Sequence, residues 1–180
     1  MIFAHDTEVA LAGAAALVNT TDGGEQLPDL AALDAFYSTW QWTGRRAGSD
    51  AELRAVHALR PRLRRIWETS DVVEVVGLVN ELLREGHALP QLVRHDECSW
   101  HLHAAPSESP LAIRMMVEAA MAFVDMIRDD ELSRLRLCAL PDCDNVLVDL
   151  SKNRSKRYCE AGCGNRSAVN AYRARKAARA

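Results

Sequence analysis

Four of the five cysteines of this chain fall within 26 residues near its C-terminal end, as Cys138-x4-Cys143 and Cys159-x3-Cys163. Each close pair can present two thiolates from one tight turn, and fifteen intervening residues are enough for a strand pair that brings the turns together. That is the donor set and spacing of a four-coordinate, tetrahedral metal site. Four thiolates leave no position open for water, so such a site is structural rather than hydrolytic. Disulfides are the competing use of paired cysteines. The chain shows no basic-then-apolar leader, since Met1-Ile2-Phe3 is followed at once by His5 and Asp6, and no apolar run long enough to span a bilayer. A soluble, cytoplasmic protein is therefore expected, and thiols there stay reduced. Zn²⁺ is the expected ion, one per chain; iron would accept the same four thiolates.

Charge separates this stretch from the rest. The net charge is -3 over 180 residues. Residues 138–180 hold nine Lys/Arg and four Asp/Glu, a balance of +5, so the remaining 137 residues carry -8. A basic tail on an acidic body points to a polyanionic partner for the tail alone. The candidate contacts are Lys152, Arg154, Lys156 and Arg157 between the cysteine pairs, and Arg166, Asn170, Arg173, Arg175 and Lys176 after them. Arg pairs with guanine edges and Asn with adenine edges in a major groove, while the other cations suit phosphates. On a helical wheel Arg166, Asn170 and Arg173 share one face and Val169 and Tyr172 another. The second face is expected to pack on the metal turn and direct the first outward. Asn165 and Arg166, directly after the last cysteine, suit either capping of the turn or contact with a base.

The elements that must carry this site read mostly as helices. Residues 4–18 are apolar and Ala-rich and end at Asn19-Thr20 to Gly24. Asp29 caps a second helix, with Leu30, Leu33, Tyr37 and Trp40 at helical spacing. Ser49 or Asp50 opens a third, with the stripe Leu53, Val56, Leu59 or Arg60, Leu63, Ile66 and Trp67; Pro61 inside it predicts a kink or a split. Ser70-Asp71 opens a fourth, with Val72, Val75, Val76, Val79, Leu82 and Leu83 on one face and Gly86 as its stop. Residues 89–95 and 99–104 read as a β-hairpin, Trp100 and Leu102 on an apolar face, His101 and His103 on the other. Ser109 and Pro110 open a helix to residue 128 that is apolar on all sides and hence central. Residues 131–137 read as a short helix. Residues 145–150 and 156–158 are expected to pair as strands, followed by a helix from Gly164. The predicted fold is mainly α with one β-hairpin in the body (α+β), then a treble-clef-like zinc finger ending in a helix. The division is 1–134 for the body and 135–180 for the finger.

Cys163-Gly164-Asn165-Arg166, with the preceding Ser151-Lys152-Asn153-Arg154-Ser155-Lys156-Arg157-Tyr158-Cys159 run and the Cys138-x4-Cys143 pair, resembles the CGNR zinc finger. The upstream part, including Leu17-Val18-Asn19-Thr20, resembles the ABATE domain that accompanies it. The resemblance implies a stress-response transcriptional regulator: a finger that binds DNA, and a body that senses a small-molecule effector or forms a homodimer. An RNA-binding or protein-interaction module stapled by zinc is the alternative. The bilayer argument leaves no membrane role. His101-x-His103, near His95 and Asp96, offers two imidazoles that read as an exposed hairpin face or a second metal site. The four tryptophans read as core, or as the walls of a ligand pocket. Cys98 reads as a buried or half-buried thiol without an activating base. No phosphate-cradling glycine loop, metalloprotease motif or paired carboxylates mark an enzyme.

Overall fold

The computed structural model describes residues 2–94 and 100–179. Among them are six α-helices and two separate two-stranded antiparallel sheets. Cys98, and the His95 and Asp96 neighbours of the His pair, lie outside the described residues.

Helices α1 (His5–Asn19), α2 (Leu30–Thr39), α3 (Asp50–Glu68), α4 (Val72–Glu85) and α5 (Leu111–Arg128) form the body. Three starts follow the expected chemistry: the side chains of Asp29, Ser49 and Asp71 accept from the N–H of Ala32, Glu52 and Val73. Helix α5 sits at the centre, packed on α1, α3 and α4. Phe123, Met126, Ala120 and Leu111 on it have no exposed surface, and the Phe123 ring meets Trp67 edge-on at 5.3 Å. The α3 stripe is buried as expected from Leu53 to Trp67.

Several local expectations are corrected. Pro61 neither splits α3 nor ends it; the ring lies on the exposed side, away from the packed stripe. Pro110 is the N-cap of α5 rather than its first residue, and Ser109 makes no side-chain cap. Val72 is half exposed, so the buried face of α4 is Val75, Val79 and Leu82. Strands β1 (Gln91–Val93) and β2 (His101–His103) pair as expected, with Leu92 opposite Leu102. Their apolar side faces outward, however: Leu92, Trp100 and Leu102 are exposed, while His101 and His103 are half-buried. The Nε2 atoms of that His pair are 3.0 Å apart. Of the tryptophans, Trp67 is core and Trp100 is at the surface.

The largest correction concerns the second sheet. Residues 132–134 form one 3-10 turn, and Leu135–Leu137 that follow are a strand, β3, not the end of a short helix. It pairs with β4 (Val146–Val148) in the register Leu135↔Val148 and Leu137↔Val146. The segment 156–158 is not a strand; it runs beside the first cysteine turn, where the Ala139 N–H donates to the Arg157 carbonyl at 2.8 Å. The sequence pattern of 145–150 is that of a buried strand, and its partner lies on the body side of the cysteines.

That sheet joins the two parts. Val146 and Val148 belong to the body's apolar core. Asn19, at the end of α1, brackets Val146: its Nδ2 donates to the Val146 carbonyl and its Oδ1 accepts from the Val146 N–H, both at 2.8 Å. The Trp67 indole donates to the Leu147 carbonyl at 3.0 Å, and Arg64 to the Asp144 carbonyl at 2.8 Å. The Asn19 amide thus closes the free edge of β4 at Val146, and donors from α3 reach the carbonyls of Leu147 and of Asp144 just before the strand.

Candidate metal centre and nucleic-acid interface

Cys138, Cys143, Cys159 and Cys163 are all buried, and their Sγ atoms lie within 4.8 Å of one another. Cys143 and Cys159 approach to 3.7 Å, and Cys159 and Cys163 to 3.4 Å. Zn–S bonds of about 2.3 Å in a tetrahedron place sulfurs about 3.8 Å apart, so the donor set fits one Zn²⁺. Its electrostatics also call for a cation. Burial pushes the Cys143 thiol up to about 12, and burial raises Cys163 despite the Arg166 hydrogen bond. Burial opposes ionisation of Cys159 too, but the Asn145 amide and the Ala161 N–H outweigh it and bring that thiol to about 7. Four adjacent thiols cannot all ionise without a positive charge between them.

Local structure explains how the cysteines are aimed. Cys138 leaves β3 and its N–H donates to the Asn145 carbonyl at 2.8 Å, closing the first turn around Cys143. Asn145 is 5% exposed; its Nδ2 donates to Asp22 at 2.8 Å and to the Cys159 sulfur at 3.4 Å. Gly162 takes a left-handed conformation, φ 75°, and turns the chain into α6 (Cys163–Ala177). Arg166, one turn along, donates from Nη2 to the Cys163 sulfur at 2.8 Å. A Zn²⁺ with four thiolates carries a local charge of -2, so this guanidinium offsets charge at the ligand itself.

Residues 12–130 match the ABATE family, described as "Putative stress-induced transcription regulator", and residues 134–176 match the CGNR zinc finger. The chain belongs to the ABATE family. No curated protein matches it. The CGNR finger and its four clustered cysteines give the ABATE chain a cofactor, one zinc ion. No helix among the described residues is long and apolar enough to cross a membrane.

The loop between the cysteine pairs is organised by a residue that spacing alone did not single out. Asp149 has no exposed surface. Its carboxylate accepts from the N–H and hydroxyl of Ser151 and from the Lys156 N–H, and pairs with Arg136 at 3.2 Å. Burial raises its pKa, but these donors outweigh burial and hold it below the usual range. Buried Arg134 completes the frame, donating to the carbonyls of Asp149 and Ser151. An Asp with a Ser two residues on is a common turn pattern and carries no sequence signal for this role. By sequence Asn19 reads only as a helix stop and Asn145 only as the first residue of a strand.

The predicted nucleic-acid residues divide into two groups. Arg154 pairs with Glu131 at 2.8 Å, Lys156 with Glu160 at 2.6 Å, and Arg166 with the Cys163 sulfur. Lys152 and Arg157 are exposed on the loop, and Asn170, Arg173, Arg175 and Lys176 on α6. Asn165, Arg166, Asn170 and Arg173 line one side of a shallow depression whose other side is Leu140 and Asp142 of the first cysteine turn. The expected packing of Val169 and Tyr172 on the metal turn is not found; both are exposed. Gly164 and Ser167 take that place, the Tyr158 ring lying over Gly164 and its hydroxyl 2.7 Å from the Ser167 hydroxyl. The wheel, weighted by hydrophobicity, does not register a contact made by a glycine and a serine.

Proposed function

We propose that this chain is a DNA-binding transcription regulator. Cys138, Cys143, Cys159 and Cys163 hold one Zn²⁺, which fixes the start and direction of α6. Residues 135–180 act as the DNA-contacting module, and residues 1–134 as the part that receives a small-molecule effector or pairs with a second copy. The role is regulatory rather than catalytic, in the cytoplasm. The supporting observation is α6 itself. Past Cys163 it buries no residue, carries Arg166, Arg173, Arg175 and Lys176, and has no acidic residue.

In this reading Asn170 and Arg173 enter the groove. Lys152, Arg157, Arg175 and Lys176 neutralise phosphates. Arg154 and Lys156 exchange their carboxylate partners for phosphates as DNA approaches. Arg166 holds the Cys163 sulfur and so positions the helix.

Fluorescence anisotropy of the zinc-loaded protein with duplex DNA at low salt tests this. The expected result is binding that weakens with salt, with a slope set by the phosphates contacted. Absence of any duplex binding at low salt overturns it. The exposed Tyr172 and Val169 favour a second reading, a zinc-stapled RNA-binding or protein-interaction module, because an exposed aromatic ring can stack on an unpaired base. Tighter binding to single-stranded RNA than to duplex DNA at matched salt selects it.

A further inference from the structure

Under the β1–β2 hairpin lies a cavity of about 510 Å³, in the range of metabolite-sized sites. Leu89, Val93 and Pro106 give it apolar walls, and His103, Arg114 and Glu118 reach it from β2 and α5.

Arg114 is the unusual member. It is 3% exposed. Its Nη1 donates to the carbonyls of Arg45, Ser107 and Ser109 at 2.9, 3.3 and 2.5 Å, which fixes the side chain. Its Nε and Nη2 are buried with no hydrogen-bond partner. Among the described residues no carboxylate forms an ion pair with it. Backbone carbonyls satisfy part of the guanidinium but do not neutralise it, and a buried, uncompensated charge costs several kcal/mol. Glu118, one helical turn along α5, has no hydrogen bond either. Burial drives its carboxyl up to about 7, against the pull of Arg114.

The complement of such a fork is a planar monoanion with two acceptor oxygens. Arg114 repels a cation or an amine. The Glu118 carboxyl and the apolar walls oppose a phosphate dianion. We propose that this cavity is a binding site for a small organic monocarboxylate, its carboxylate paired with Arg114 and its apolar part against Leu89, Val93 and Pro106. Protonated Glu118 supplies a donor toward the same anion. The Gly44 backbone covers the Nε edge: a Cβ there would fall 3.2 Å from Nε and 2.6 Å from the Ser107 carbonyl oxygen. Gly44 stands at φ 88°, and hydrogen bonds from the Tyr37 hydroxyl to its carbonyl and from Arg45 N–H to Ser107 hold the segment. Pairing at that edge requires this short stretch to lift. Only the regulatory meaning of the site rests on the body being an effector domain; the binding does not.

Calorimetry on the full zinc-loaded chain tests the inference, with benzoate and hexanoate against benzamide, benzylamine and inorganic phosphate. Both carboxylates are expected to bind saturably, and the amide about tenfold or more weaker, the loss of one charged contact. Benzoate is expected to shift the Arg114 Nε–H resonance. Arg114→Lys keeps the charge, loses the fork, and should weaken benzoate by a similar factor. Ala105→Phe, which fills the cavity from a loop, should abolish binding and remains decisive if the Arg114 variant does not fold. No saturable carboxylate binding at millimolar concentration overturns the proposal. So does binding of benzamide, benzylamine or phosphate as tight as benzoate, or benzoate affinity unchanged in Ala105→Phe. No nucleic acid is present in this assay, so its failure and a failure of DNA binding are read separately.

Discussion

Helices α5 and α6 are close in length, 18 and 15 residues, and both are rich in alanine. One is the most buried helix among the described residues and the other buries no residue past Cys163, with only Gly164 and Ser167 half-buried. Helix α5 is placed by apolar area: large side chains on every face find α1, α3 or α4. Helix α6 has only Val169 and Tyr172 beyond its alanines, and neither is covered. A helix of about 12–15 residues without tertiary packing is marginal in water. What places α6 is its first turn, through Cys163, Gly164 against Tyr158, and Arg166 on the sulfur. The body is thus held by solvent exclusion and the tail by coordination, which leaves the tail's surface free for a partner.

Removing the metal should break this contrast most. Zinc binding in finger peptides is worth about 10–16 kcal/mol, and residues 156–177 have little else to hold them. Chelation, or Cys159→Ser, should abolish amide protection there while Val146 to Val148 stay protected, because β4 is bracketed by Asn19 and Trp67 and its valines are core. Hydrogen exchange read by mass spectrometry separates the segments. Loss of protection in β4 as well would mean that body and finger fold as one unit.

The converse cut falls in α5. Phe123→Ala removes a ring with no exposed surface and should cost about 3–5 kcal/mol, measured by urea denaturation. One zinc per folded chain should remain. A loss of metal in the native baseline would show that the core holds the cysteines in place.

A smaller and pH-dependent effect belongs to Glu118. Its folded pKa of about 7 lies above an unfolded value of about 4.3, so the folded state prefers the protonated form. The group is neutral to stability below the lower value. It becomes destabilising as pH rises between the two, and the penalty is constant above the higher. Glu118→Gln should therefore raise stability at pH 8, by at most about 4 kcal/mol, and leave it unchanged at pH 4. Equal stability of the two proteins at both pH values would place Glu118 in contact with water.

Much of this contrast was legible beforehand. Periodicity located α2, α3 and α4 and composition located α1 and α5, whereas α6 was placed by the cysteine turn before it; the thiol spacing marked the metal centre because few other arrangements use it. Less legible were contacts that depend on backbone groups. Asn19 reads as a helix stop, yet it seals the edge of β4. Residues 135–137 alternate as Leu-Arg-Leu, too short a run to mark a strand, and their pairing depends on a buried partner, Val146–Val148, beyond the first cysteine turn. Trp100 and Leu102 alternate as a half-buried strand should, but it is the His101 and His103 face of the hairpin that is half-buried, and the apolar pair is turned to solvent. Arg114 is fixed by three carbonyls from two loops, those of Arg45, Ser107 and Ser109, which no residue spacing encodes.

The smallest expected effect sharpens the comparison best, because it touches α6 alone. Arg173 is exposed and has no resolved partner among the described residues. Arg173→Ala should leave zinc content and melting temperature unchanged, since exposed helical substitutions lie within about 0.5 kcal/mol. Its effect should appear only with nucleic acid. If Arg173 meets a phosphate, the plot of log affinity against log salt should lose about one unit of slope and all sequences should weaken alike. If it meets a base edge, the slope should hold while discrimination at one position falls by about 1–3 kcal/mol. Arg166→Ala is the contrasting variant: it uncovers the Cys163 sulfur, so zinc should leave faster in a chelator competition before any DNA is added. Equal zinc release from the two variants would place Arg166 with Arg173 as a contact residue rather than with the metal.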